Sequence, residues 1–494
     1  MKEYISTRNK NINISASKAI IKGLADDGGL FVLPSLDHIQ INIESLLHKS
    51  YQEIALAIMK PFLSDFTQEE LTNCITNAYA STFDTNEITP ITKLNENEYV
   101  LELSHGRTSA FKDVALSLLP YLMTSSLKIN DSKDKTLILT ATSGDTGKAA
   151  LEGFKNVDDI SIMVFYPLSG VSPIQEKQMI STDGNNVVVC GIHGNFDDAQ
   201  SAVMVAFNSR ELNDFASANG YQLSSANSIN IGRLLPQIVY YYVSYVRLIE
   251  RKEITLGEEI NFSVPTGNFG DILAGYIAKC IGLPINTLLC ASNSNNVLFE
   301  FLSTGIYDRN KELVKTISPS MDILISSNLE RLLYYASNDT DYVASLMKSL
   351  QDTGKYEITN ELLGKLQTTF YPSFATEKET KECIHHVYEK YNYVLDPHSA
   401  VGYKALVDYK RDTQDTRKCI VLNTASPFKF ADDVLDALQI KKSDDSFTNL
   451  TILEEATGLA IPKNLKSLKD LDILHNNKIN KDNILDFIRE KMVK

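Results

Sequence analysis

The stretch KTLILTATSGDTGKAALEGF, residues 135–154, decides the fold. Residues 136–141 are an unbroken apolar and β-branched run of strand length, residues 147–154 are rich in helix formers, and a glycine turn lies between them. The alternation continues downstream: 160–166 (ISIMVFY) reads as a strand, 174–180 as a helix, 186–191 as a strand and 197–218 as one long helix. Strands and helices in this rhythm predict parallel sheets joined by right-handed crossovers, with helices on both faces. The fold class expected is α/β.

A second such unit begins at INFSVP (260–265), with a glycine turn and a helix to 283, and 288–291 is the next strand expected. The short apolar run 420–422 ends in Asn423-Thr424-Ala425-Ser426-Pro427, and 308–392 reads as mostly helical and polar. Upstream of the sheet units, Ile54, Leu56, Ile58 and Met59 recur near the helical period within 51–66. The expected organisation is a mainly helical N-terminal domain over 1–95, a catalytic domain over 96–440 containing a smaller, mobile α/β subdomain at about 135–219, and a helical tail over 441–494.

Composition narrows the function. In 494 residues, 48 Lys and Arg against 62 Asp and Glu give 48 − 62 = −14. That sign opposes binding to a polyphosphate backbone, so nucleic acid is not an expected partner. There is no apolar run of membrane-spanning length and no apolar core to the N-terminus MKEYISTRNK, so a soluble, cytoplasmic protein is expected. Six scattered cysteines form no CxxC pair, and His385 and His386 stand without an HExxH motif, so no protein-held metal is expected.

Three segments carry chemistry. Pro265-Thr266-Gly267-Asn268-Phe269-Gly270-Asp271 lies between a strand end and a helix, where two glycines allow close backbone approach and the helix start offers unpaired N–H groups to a phosphate. A glycine turn alone also reads as a plain strand-to-helix connection. Thr142-Ser143-Gly144-Asp145-Thr146-Gly147-Lys148 is a similar turn; with two residues between its glycines it is not a P-loop, and its hydroxyls suit a carboxylate or a second phosphate. The third is Glu102 to Asp113 (ELSHGRTSAFKD), where Lys112 stands between Phe111 and an apolar helix expected over 114–122. Partial desolvation there would lower its pKa and free its amine as a nucleophile.

At these residues the chain resembles the threonine synthase family, in the branch shared by fungi and many bacteria, within the tryptophan synthase β-like (fold type II) pyridoxal phosphate (PLP) enzymes. HGRTSAFKD, TATSGDTGKAA, SPIQEKQM, SSANSINIGRLLPQ and PTGNFGD carry the resemblance in the family's order, and STR at 6–8 and GLADDGGLFV at 23–32 extend it through the N-terminal part. Arg107 is a departure, standing where the family usually has Pro; it reads as a change in the local turn, with an extra cation added beside the site.

The resemblance implies a role for each matching residue. Lys112 would carry PLP and act as general base and acid. Gly267, Asn268, Phe269 and Gly270 would wrap the cofactor phosphate, with Asp271 capping backbone amides at the helix start. Thr424 would meet the pyridine nitrogen and Asp145 the ring's 3-hydroxyl. Ser143, Thr146, Asn227, Asn230 and Arg233 would bind the substrate's carboxylate and phosphate. The implied reaction converts O-phospho-L-homoserine and water to L-threonine and phosphate, the last step of threonine biosynthesis. Its rival is a threonine-synthase-like phospholyase or dehydratase that releases a 2-oxo acid.

Overall fold

A computed structural model of the chain describes residues 3–492. Its larger sheet has six strands in the order Phe370–Phe374, Ile285–Ser292, Ile260–Pro265, Cys419–Asn423, Glu98–Glu102 and Ile91–Asn95. The first five run parallel, and Ile91–Asn95 closes the edge as an antiparallel hairpin partner. Ile260–Pro265 and Cys419–Asn423 are buried along their whole length, as strands covered on both faces must be. Their carboxyl ends lie side by side, so the turn after Pro265 and the turn after Asn423 open onto one crevice.

The smaller sheet is also parallel, in the order Asn477–Asn480, Val187–His193, Ile160–Pro167, Lys135–Ala141 and Tyr221–Ser224. It therefore runs past residue 219 and recruits the C-terminal segment. The part after 441 is helical at Ser446–Thr457 and Ile484–Met492, but Asn477–Asn480 is a strand, so the tail is not simply helical. That strand is polar and only half covered at alternate positions, which leaves no apolar run to announce it.

Two expected helices are broken. The one expected over 197–218 divides into Phe196–Asn208 and Arg210–Ala218, because Ser209 adopts extended backbone and its hydroxyl accepts from Leu212 N–H to start the second helix. The one expected over 114–122 divides into Lys112–Leu116 and Leu119–Ile129, with Pro120 in the first turn of the second. Lys112 is thus the first residue of a short buried helix. The 20-residue helix Ile231–Glu250 is buried almost end to end, and its Tyr241 ring packs on Phe262 of the larger sheet.

The N-terminal part is mainly helical, with a small antiparallel sheet of Asn9–Ile14, Tyr4–Ser6 and Phe31–Val32. It explains two of the motifs. Asp27 accepts from Ser6 Oγ and from Gly29 N–H, and a Cβ on Gly29 would lie 2.1 Å from Ser6 Oγ, so this turn admits only glycine. Thr7 Oγ1 and the Arg8 guanidinium then both bind the Glu330 carboxylate, with Arg8 Nε and Nη2 each at 2.8 Å. Among the described residues no helix is long and apolar enough to cross a membrane.

Candidate active site

The segment bearing Lys112 is drawn to the strand end at Asn423 by backbone pairing. Leu103 N–H donates to Asn423 O, Phe111 N–H to Thr424 O and Ser426 N–H to Ser109 O, with a bridge between Ala110 and Ala425. This seats Lys112 beside Thr424, both buried. The Lys112 amine donates to Ser320 Oγ at 3.2 Å and lies 3.9 Å from Asp145 Oδ2. Burial pushes its pKa down to about 8 against the pull of Asp145, with Arg233 and Lys429 adding to the lowering. A lysine so placed has a neutral, nucleophilic fraction near neutral pH.

Asp145 begins the helix Asp145–Phe154 and is held on three sides. Lys429 Nζ meets Oδ1 at 2.6 Å, Gln175 Nε2 donates to it at 2.9 Å, and Ser320 Oγ donates to Oδ2 at 3.3 Å. Burial works against its ionisation, but Lys429 and then Lys112 outweigh burial and hold it well below the usual carboxylate range. Lys429 is wholly buried and also donates to Thr108 O, so the pair is a fixed, desolvated one. Beside it, Asp113 accepts from the Thr108 N–H and hydroxyl, and burial raises its pKa to about 6.

The two glycine turns face this cluster. In the first, Phe269 adopts the left-handed conformation and the helix Gly270–Cys280 begins. The N–H groups from Gly267 to Ile272 find no acceptor among the described residues, whereas that of Leu273 bonds Phe269 O. A Cβ on Gly267 would sit 2.7 Å from the Ser320 carbonyl, so only glycine fits. The cradle is braced from behind: Ser326 Oγ donates to Gly267 O, while Asn328 N–H and Nδ2 donate to Asn268 O. Arg331 in turn binds Asn328 Oδ1, Phe31 O and Ile229 O, which links the cradle to the N-terminal part.

In the second turn Thr142 Oγ1 accepts from Gly144 and Gly147 N–H. The N–H groups of Ser143, Asp145 and Thr146 and the hydroxyls of Ser143 and Thr146 have no partner among the described residues. Lys148, by contrast, is bound to Glu152 and Thr182 and turned from the site.

Arg233 lies in the first turn of the helix Ile231–Glu250, 4 % exposed. One N–H donates to Ala226 O at 2.9 Å, and no carboxylate pairs with it among the described residues. Burial lowers its pKa to about 10, so it stays charged near neutrality. A buried guanidinium with one protein acceptor out of five donors is costly unless an anion joins it. Asn227, half-buried on the neighbouring loop, has a side chain without a partner among the described residues.

Two expected residues behave differently. Asn230 is committed to structure: Nδ2 donates to Ile20 O and Ser225 O, and Oδ1 caps the helix at Gly232 N–H. Asp271 does not cap backbone amides. Its Oδ1 accepts from Tyr240 Oη at 2.5 Å and Tyr241 Oη at 3.0 Å, and burial raises its pKa to about 7. The two tyrosine hydroxyls thus take the carboxylate oxygen that a cap would have offered to backbone amides. Arg107 is exposed, so it adds no cation inside the crevice. Ser320, Lys429 and the buried pair His398 and Asp396 were not legible in the sequence; the first two reach Lys112 and Asp145 from segments more than two hundred positions away along the chain.

These residues fit PLP: a glycine cradle of free N–H donors for its phosphate and a desolvated lysine for its aldehyde. The comparisons agree. The chain matches the families described as Threonine synthase N terminus over residues 3–79, Pyridoxal-phosphate dependent enzyme over 83–424, and Threonine synthase, C-terminal over 399–471. It is 36% identical to threonine synthase of Saccharomyces cerevisiae, over 95% of this chain and 96% of that one. It is 38% identical to human threonine synthase-like 1, over 87% of this chain and 59% of that one. The crystal structure of PLP-bound threonine synthase from Brucella melitensis is 37% identical and superposes with a TM-score of 0.87, covering 100% of this chain and 99% of that one. The chain belongs to the threonine synthase family and is a PLP-dependent lyase.

Proposed function

We propose, with that membership as the premise, that the chain converts O-phospho-L-homoserine and water to L-threonine and phosphate. The observation that carries the reading is Arg233: a buried cation with no carboxylate partner among the described residues, beside a cradle suited to the cofactor phosphate. A substrate with its own dianionic phosphate supplies the missing partner, in the bidentate geometry a guanidinium favours.

Each residue then has a task. Gly267, Asn268, Phe269 and Gly270 hold the PLP phosphate through backbone N–H groups, and Lys112 anchors the cofactor. Thr424 offers a hydroxyl rather than a carboxylate to the ring nitrogen. Asp145, kept ionised by Lys429, faces the ring's polar edge. Ser143 and Thr146 receive the substrate carboxylate, while Arg233 and Asn227 receive its phosphate. When bound, PLP supplies the electron sink that makes protons on the α- and β-carbons removable. Lys112 would take the α-proton and then a β-proton, return one proton to the γ-carbon once phosphate has left, and return the other to the α-carbon after water has added at the β-carbon. Arg233 steadies the charge that grows on the departing phosphate. Movement of the smaller subdomain toward the larger would exclude bulk water during these transfers.

The proposed place of work is the cytoplasm, a reading supported by six free cysteines. The test is a product assay with purified protein, PLP and O-phospho-L-homoserine. Threonine and phosphate released in equal amounts support the proposal, and phosphate with 2-oxobutyrate moves the chain to the phospholyase reading. The absence of phosphate release removes the substrate.

A further inference from the structure

One polar side chain lies at the junction of all the parts above, on a segment given no role so far. Ser320 is in the one-turn helix Pro319–Met321. Its hydroxyl accepts from Lys112 Nζ at 3.2 Å and donates to Asp145 Oδ2 at 3.3 Å, and its carbonyl is the atom that a Cβ on Gly267 would strike. Its backbone N–H donates to His398 Nε2 at 3.1 Å.

His398 is itself fixed. With Nε2 accepting, the ring proton sits on Nδ1 and donates to Asp396 Oδ1 at 2.9 Å, and the Phe430 ring packs edge-on at 4.9 Å. Asp396 also binds Ser399 Oγ, and the same hydroxyl accepts from Thr424 N–H at 3.1 Å. One buried network thus fixes both Ser320 and the backbone at Thr424.

We propose that Ser320 is a further catalytic residue, the hydrogen-bond partner that holds the Lys112 amine in place whenever it is not joined to the cofactor, and that Asp396 and His398 are positioning residues acting through Ser320. A lysine side chain has several free torsions, and an amine that must leave the cofactor and then find the α- and β-protons gains from having one resting direction. The Ser320 hydroxyl supplies it: it accepts from Nζ while giving its own hydrogen to Asp145. Other groups bearing on the amine are Asp145, Arg233 and Lys429 from three other elements and Asp113 from its own. Ser320 is the one uncharged partner among them. The proposal rests on Lys112 being the cofactor lysine.

The test compares Ser320→Thr with Ser320→Val, two side chains of equal shape that differ in the hydroxyl. The first readout needs no substrate: the pH midpoint at which full-length protein stripped of PLP captures added PLP. Loss of an acceptor for the ammonium form moves that midpoint down by about half a pH unit in the valine variant, and threonine restores it. In the reloaded enzyme, kcat falls roughly tenfold for valine with KM little changed. His398→Gln, which can still present an acceptor, is expected to stay within about threefold of the parent enzyme, and His398→Ala to match valine. Combining His398→Ala with Ser320→Val is expected to cost no more than Ser320→Val alone. An unchanged midpoint and kcat in the valine variant overturn the role of Ser320, and additive losses overturn the positioning role of His398. Covalent attachment of PLP to Lys112→Ala protein, read as a mass increase after borohydride reduction, would instead sink the cofactor-lysine reading on which both rest.

Discussion

The turn at Gly267 to Gly270 and the turn at Ser143 to Gly147 are built alike, yet they are held differently. Both end a buried parallel strand, both start a helix, and both leave backbone N–H groups unpaired toward the crevice. The first is braced by Ser326, Asn328 and Arg331, and through the adjoining Glu330 by Thr7 and Arg8 of the N-terminal part. The second is braced within its own subdomain, by Thr142 and Gln175, and reaches the large sheet's side through the ion pair of Asp145 with Lys429. A resident cofactor needs its phosphate site ready at all times, whereas a substrate must enter and leave. The difference in bracing matches that division of labour.

The contrast can be broken or sharpened by substitution. Removing Lys112 as Lys112→Ala takes away the group both turns serve, and kcat is expected to fall by roughly 1,000-fold or more with the melting transition intact. Gly267→Ala sets a Cβ 2.7 Å from backbone at Ser320, which cannot yield cheaply. It is expected to cost about 1–3 kcal/mol of stability and up to roughly 100-fold in PLP affinity, read by denaturant unfolding and cofactor titration. Gly144→Ala meets the side chain of Gln175 instead, and its strain at φ 129° should raise KM while leaving PLP affinity within about threefold. If both glycines weakened PLP equally, the contrast would fail.

Arg233→Gln removes the unpaired cation and is expected to raise KM for the phosphorylated substrate roughly 10- to 100-fold, with PLP binding unchanged. The pH dependence follows from Lys112. Its folded-state pKa is lowered to about 8, so the neutral amine gains about tenfold per pH unit below that point. The rate of PLP capture by stripped protein should rise with pH and level off above about 8; a rate that fell over this range would contradict the assignment. The smallest effect is expected for exposed Arg107: Arg107→Gln should change kcat/KM by less than about twofold.

Much of this was legible in the chain. The run from residue 135 to 154 carries its strand, turn and helix in apolar pattern and glycine placement, and the Gly267 turn reads as an anion site for the same reason. What escaped is what depends on distance along the chain. Ser320 lies in a polar stretch read as helical, 208 positions from Lys112, and nothing local marks its partner. Lys429 looks like any lysine until the Asn423 strand end carries it under Asp145. The side-chain partners of Asn230 and Asp271 are not legible because an Asn or Asp at a helix start can face ligand or protein, and here they bind Ile20, Tyr240 and Tyr241.

The most direct test of the account is a structure of the PLP-loaded enzyme with a non-hydrolysable phosphonate analogue of O-phospho-L-homoserine. The account predicts the cofactor phosphate on the N–H groups from Gly267 to Gly270, the analogue's carboxylate at Ser143 and Thr146, and its phosphonate paired with Arg233. A phosphonate seated on the Ser143 to Gly147 turn, with Arg233 still bound only to Ala226, would contradict it.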